Sequence, residues 1–349
     1  MGLSERAGFY RQLETKRGKP LIVYVTSMRR NATAQIAGDT ISELLVQLEK
    51  LPPGTVDLDL MLGSYGGDGS VAWRIVSLIR ERVQKFAVLV PQAAFSAGTL
   101  IALGADELVI HPHGNLGPTD PQITNLAKNV QFGSEDLAAY LKFARDEVGL
   151  TDQAPLVQLF KDFSAEVGYV GIGVAARSAQ LTQSMGEKLL RLHMKTDAQA
   201  QKAKLISETL STKYFHHGYP VSRTEAKDLE LPVAERNEEV EKLMWQIWTD
   251  IEKEMEFREP YSPVRILKTD PDTAALFDPA LVPAPGAPPL IRMAKMRLLS
   301  AIMESTRHAS RAVSEGDVTG ARHPDLSLKI NVLPYKEGWV DDFVLSQNP

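Results

Sequence analysis

Between Leu21 and Pro112 short apolar runs alternate with amphipathic stretches, and this alternation restricts the possible folds more than any other feature of the chain. The runs LIVYVTS (21–27), VDLDLML (56–62), FAVLVP (86–91) and ELVIHP (107–112) are rich in β-branched and aliphatic residues, as strands covered on both faces are. Helical patterns lie between them at 40–51, stopped by Pro52-Pro53, at 70–83 and at 97–105. Strand, crossover helix and strand in succession predict an α/β fold with a largely parallel sheet. Phe86 to Ala105 carries no charge and is long enough to span a bilayer. Pro91, Gln92, Ser96, Gly98, Thr99 and Gly104 interrupt it, so it reads as a buried strand followed by a helix.

After a loop rich in Gly and Pro (113–133), helices are expected at 135–148 and 153–167, with a long polar one at roughly 175–210. The unit YPVSRTEAKDLELPV (219–233) follows, with Ser222 and Glu225 spaced as a capping box. Residues 1–233 read as a catalytic core and 234–349 as a mostly helical, Pro-rich extension suited to assembly. That extension holds a helix at 234–255 with Trp245 and Trp248, a Pro-rich segment at 259–289 and a basic amphipathic helix expected at 290–313. Glu304 and serines mixed into the last of these favour packing on its own domain over a membrane surface.

Several classes drop out on composition. The 39 basic and 44 acidic residues give a net charge of -5, without the basic excess of a nucleic-acid footprint. The absence of cysteine excludes disulfides, thiolate zinc sites, iron–sulfur clusters and a cysteine nucleophile. The first twenty residues are polar and charged rather than signal-like, so a cytoplasmic location is expected and the acceptor-like Asn31-Ala32-Thr33 reads as chance.

Two turns follow predicted strands, SYGGDGS (64–70) and PQAAFSAGT (91–99), at the carboxyl ends where open α/β sheets place ligands. Neither has the spacing of a P-loop or a dinucleotide fingerprint, and no metal or cofactor is expected. In the second turn Ser96 lies between strand and helix among Ala93, Ala94, Ala97 and Gly98, small residues that allow a tight turn and close approach of a substrate. That is a place for an exposed nucleophile. Ser is equally at home there as a helix N-cap, and the local pattern leaves both open. His111 and His113 alternate at the end of a strand with Asp120 downstream, which would allow a serine–histidine–aspartate triad. Asp120 otherwise reads as a turn residue. His216 and His217 would project to different sides, which disfavours a metal.

The run PQAAFSAGTLIALGADELVIHPHGNLGPTDPQI (91–123) resembles the signature region of the serine dehydrogenase proteinase family. That family belongs with the Clp protease proteolytic subunit, signal peptide peptidase A and crotonase in fold. The SYGG turn, the unit KYFHHGYPVSRTEAKDLELPV (213–233) and the segment before Leu21 are similar to other parts of the family, so the resemblance runs over roughly residues 10 to 233. It implies a Clp/crotonase-like fold, a homo-oligomer and a serine peptidase acting on peptide or protein substrates without a cofactor. Peripheral membrane association through a partner is compatible with it. The segment AAYLKFARDEVG (138–149) resembles the lysine-bearing helix of the signal-peptide-type and stomatin-partner peptidases. By that likeness Ser96 is the nucleophile and Lys142 the general base of a Ser-Lys dyad. The backbone N–H groups of Gly67 and Ala97, assisted by Gly66, form the oxyanion hole. A lysine base must be neutral, which calls for a desolvated niche, and Tyr140, Leu141, Phe143 and Ala144 are placed to supply one.

The chain departs from the family in three places. Ser64-Tyr65 replaces the usual Thr-Pro, His217-Gly218-Tyr219 the usual His-Asp-Tyr, and Glu230 a glycine. Two rival readings share the fold: a crotonase-type acyl-CoA enzyme, for which Asp68 is the one acid in either turn, and a catalytically silent assembly scaffold.

Overall fold

The computed structural model describes residues 3–125, 130–214 and 216–341. In chain order they form α1 (Leu3–Arg17), β1 (Leu21–Thr26), α2 (Thr40–Glu49), β2 (Asp57–Gly63), α3 (Gly69–Arg82), β3 (Lys85–Val90), β4 (Ala93–Ala94), α4 (Ala97–Leu103) and β5 (Glu107–Ile110). There follow β6 (Asn115–Leu116), β7 (Gln122–Asn125), β8 (Val130–Gly133), α5 (Ser134–Asp146), α6 (Gln153–Val167), α7 (Tyr169–Leu190), α8 (Asp197–Thr212), β9 (Val221–Ser222) and α9 (Arg223–Asp228). The chain ends with α10 (Glu238–Glu254), α11 (Pro263–Thr269), β10 (Leu290–Glu304), β11 (Ala309–Arg322) and β12 (Leu328–Asp341). The α/β class and the four strands and three helices expected before residue 112 are all present. Among the described residues no helix is long and apolar enough to cross a membrane.

The chain divides into two compact units, one of residues 36–41 and 55–241, the other of 1–35, 42–54 and 242–349. This cut differs from the division at 233/234, because the residues from Lys242 onward group with segments near the N-terminus.

The first unit holds the predicted chemistry. β2, β3 and β5 run parallel with Leu60 opposite Val88 and Val88 opposite Leu108, and all three of these side chains are fully buried. Strands covered on both faces need continuous apolar runs, which FAVLVP supplies. Val71, Ala72, Ile75, Val76 and Ile79 form the buried stripe of α3, at helical spacing. A small second sheet, β4-β6-β9, is assembled from two-residue strands beside the turns. The long helix expected at 175–210 is two helices, α7 and α8, because Thr196 and Gln199 form a reciprocal capping box that starts a new helix.

In the other unit β1 pairs antiparallel with β10, and β10, β11 and β12 form a long meander. This corrects the helix expected at 290–313. Its Met, Ala, Lys, Arg and Leu residues favour helix locally, but the register pairs Leu290 to Glu304 against Arg322 to Ala309. Ala294, Met296 and Val318 are thereby buried with Leu267 and Leu276, and tertiary burial overrides local propensity. The extension is helical only through α10, α11 and a short 3-10 turn at Ala274–Phe277. Trp248 is buried and offers no surface for assembly, although the extension that holds it reads in sequence as suited to assembly. Arg6 lies fully buried, paired with Glu304 at 2.8 Å and Asp250 at 2.5 Å, while Tyr10 donates to Glu304 at 2.7 Å. Such buried charges are tolerated when fully paired.

Candidate active site

The SYGG turn and the elbow are stitched together by backbone. Ser64 N–H donates to Ala93 O and Phe95 N–H to Ser64 O, both at 2.9 Å, extending the end of β2 along β4. The chain then turns sharply into α4 at Ser96, which has φ 51° and ψ -113°. A non-glycine residue adopts such a backbone at a cost of about 1–3 kcal/mol. Ser96 occupies the N-cap position, yet its hydroxyl makes no capping hydrogen bond. The side chain is half-buried and not spent as a cap, while the local backbone is strained.

Gly66 and Gly67 have φ of 109° and 151°, open to glycine and strained for other residues. A Cβ on Gly66 would lie 2.6 Å from Ser96 Cβ and 3.2 Å from Ala97 N, so the glycine turn abuts the elbow. A Cβ on Gly67 would lie 2.3 Å from Ile36 O. Ile36 N–H donates to Gly66 O and Asp68 N–H to Ile36 O, an isolated parallel bridge that leaves the N–H of Gly67 outside the ladder. Among the described residues the N–H groups of Gly67 and Ala97 have no hydrogen-bond acceptor. That of Gly66, expected to assist them, is already donated to Ser64 Oγ at 3.0 Å. Asp68 accepts from Ser70 N–H at 2.8 Å as the N-cap of α3, so the acid that a crotonase-type base would need is engaged.

Behind the elbow, Thr99 Oγ1 accepts from Gly117 N–H at 3.0 Å and lies 2.8 Å from Ala94 O and 2.9 Å from Gly117 O. Gly117 also packs on the Phe95 ring, where a Cβ would come within 2.8 Å. The pieces Ser-Ala-Gly-Thr and Leu-Gly-Pro are thus two sides of one contact.

Lys142 lies on α5 and is exposed, without a hydrogen-bond or ion-pair partner among the described residues. The niche expected around it is open. Tyr140 is 42% and Phe143 58% exposed, Tyr140 stacks on Phe163, and only Ala144 is buried. The structure therefore brings together Ser96, Ala97, Gly66 and Gly67, and no hydrogen bond or ion pair joins Lys142 to them.

His111 Nδ1 accepts the N–H of His113 at 3.1 Å, and burial together with the neighbouring His113 pushes its pKa down to about 4. Asp120 is not a simple turn residue. It is buried, and its Oδ1 lies 2.8 Å from His217 Nδ1 while Oδ2 accepts from Gln122 at 2.8 Å. Burial and the charges of Asp120 and Asp136 raise the carboxyl of Glu135 at the start of α5. The His217 partnership was missed because it joins residues nearly a hundred positions apart, and the one signal in the sequence was the family-like HGY segment. His216 turns elsewhere, its Nδ1 accepting from Gly218 N–H at 3.0 Å. Glu230 has φ 58°, so the position keeps a glycine-like backbone without a glycine; its carboxylate pairs with Lys202.

In the other unit Glu43, His308 and Asp341 approach one another. Lys50 Nζ lies 3.1 Å from His308 Nδ1 and can only donate, so the ring proton sits on Nε2, which faces Ser310 and Asp341 as a donor. That tautomer has no lone pair for a metal at Nε2.

Two uncharacterized proteins of Methanocaldococcus jannaschii are 24% identical to this chain over 239 residues and 27% identical over 236 residues. These matches cover 66% and 65% of this chain and 72% and 73% of theirs. Among solved structures, two mutants of the 1510-N membrane-bound stomatin-specific protease are similar at 16% identity and a TM-score of 0.38. They cover 64% of this chain and 84% and 78% of the protease chains, and one is in complex with a substrate peptide. Residues 4–133, which carry both turns and the Ser96 elbow, match the family model of the ClpP-like SDH-type serine proteinases.

Proposed function

We propose that the chain is a serine peptidase that cleaves extended peptide or protein substrates through an acyl-enzyme on Ser96. The observation that carries this reading is the strained, uncapped Ser96 beside two unengaged backbone donors, Gly67 and Ala97. Ser96 Oγ attacks the scissile carbonyl, and its proton passes to the base. The carbonyl oxygen takes up negative charge between the Gly67 and Ala97 N–H groups, each such donor stabilising the transition state by about 3 kcal/mol. The protonated base gives that proton to the leaving nitrogen as collapse expels the amine and leaves an ester on Ser96, which water then hydrolyses. Gly66 contributes space, since its own N–H is engaged.

Lys142 is the base that the family resemblance supplies. A lysine accepts a proton only when neutral, so this dyad requires the exposed Lys142, Tyr140 and Phe143 to be covered when substrate or a second copy of the chain binds. Exposed Phe160, Tyr169 and Val170 on α6 and α7 support a homo-oligomer for the same reason. Labelling by a fluorophosphonate and hydrolysis of fluorescein-labelled casein test the reading. Both are expected for the native chain, and both are expected to vanish in Ser96→Ala. Casein hydrolysis by Ser96→Ala at the native rate would overturn it.

A further inference from the structure

One polar pair, Asp120 with His217, is not used by a Ser-Lys dyad. The carboxylate of Asp120 can only accept, so its 2.8 Å contact places the ring proton of His217 on Nδ1 and the lone pair on Nε2. Asp120 is buried and held from its other side by Gln122, which fixes the imidazole plane, whereas the His217 side chain is 31% exposed and reachable by water. The segment that carries Asp120 is tied to the helix that follows the elbow. Gly117 is hydrogen-bonded to Thr99 in α4, and Asp120 follows three residues later, a span of at most ~11 Å.

We propose that His217 Nε2 accepts the proton of the water that hydrolyses the Ser96 acyl-enzyme, with Asp120 as its positioning residue. This rests on the reading of Ser96 as nucleophile. The water oxygen forms a bond to the acyl carbon, one water proton passes to Nε2, and the carbonyl electron pair moves onto the oxygen facing Gly67 and Ala97. Collapse then breaks the bond from the acyl carbon to Ser96 Oγ, Oγ takes the proton from the imidazolium, and the carboxylic acid departs. An imidazole suits this step because it is a competent base near neutral pH without the burial that an amine requires.

The competing account is that His217 merely fastens its loop to Asp120. Stopped-flow with p-nitrophenyl acetate separates the two, because its leaving group departs without a proton and acylation is seen apart from deacylation. In His217→Gln the stoichiometric burst is expected to persist while the steady-state rate falls about 100-fold or more. Intact mass spectrometry should then find the accumulated acetyl-enzyme. Asp120→Asn should act in the same direction, and free imidazole should restore turnover to His217→Ala, which a lost tether would not allow. A steady-state rate in His217→Gln within about twofold of native would overturn the proposal, as would loss of the burst together with fluorophosphonate labelling. Ser96→Ala is the separate control: burst and turnover surviving in it would mean that the nucleophile reading itself has failed.

Discussion

The Ser96 elbow and the Lys142 helix lie in one compact unit, and they are built in opposite ways. The elbow is determined by short-range backbone contacts: Ser64 bonds the strand beside it, Gly66 leaves room for Ser96, and Thr99 ties α4 to Gly117. Its geometry is complete within one chain. On α5, Lys142 and Phe143 face outward, and Tyr140, though stacked on Phe163, stays 42% exposed. A nucleophile and its backbone donors can be positioned by local folding alone, whereas a lysine base needs a low-dielectric surrounding that a single exposed helix does not supply.

The sharpest way to break the comparison is at Gly67. Gly67→Ala places a methyl group 2.3 Å from Ile36 O at a φ of 151°, so a loss of about 4 kcal/mol or more is expected in urea unfolding, together with activity. Unchanged stability would mean that the turn is looser than its contacts indicate. Lys142→Met tests the other side. Because Lys142 is exposed, the midpoint of unfolding should stay within about 0.5 kcal/mol of native, while casein hydrolysis falls about 100-fold or more. Retained hydrolysis would remove Lys142 as base and leave the elbow reading intact.

The nearer a feature was to a single sequence segment, the more of it could be read. Continuous apolar runs gave β2, β3 and β5, helical spacing gave α3, and Ser222 with Glu225 gave the cap of α9. The elbow at Ser96 was legible as a run of small residues, but the uncapped hydroxyl and the engaged N–H of Gly66 were not, because both depend on the angle at which two turns meet. The β10–β11 meander was hidden by helix-favouring residues whose burial is fixed by cross-strand partners. Asp120 with His217 could not be found by spacing, since their contact is made only in three dimensions.

Glu230 offers a smaller test of how much local backbone matters. It keeps φ 58° where related closing units have glycine, and its ion pair with Lys202 is exposed. Glu230→Gly is therefore expected to stabilise the chain by about 1 kcal/mol in thermal or urea unfolding, and destabilisation would show that the exposed pair outweighs the backbone. Phe143→Ser should have the smallest effect, within about 0.5 kcal/mol on stability, because its ring already stands in water. Sedimentation velocity of the same variant reports whether that ring lies in a contact between copies: a shift toward the 38.5 kDa species is expected, and an unchanged distribution would place the contact elsewhere.

The central claim is that Ser96 is the nucleophile, and intact-protein and peptide mass spectrometry after fluorophosphonate treatment test it most directly. One adduct per chain is expected, on the peptide containing Ser96, with none in Ser96→Ala and a sharply reduced rate of labelling in Gly67→Ala. An adduct on another residue, or labelling that persists in Ser96→Ala, would contradict the account.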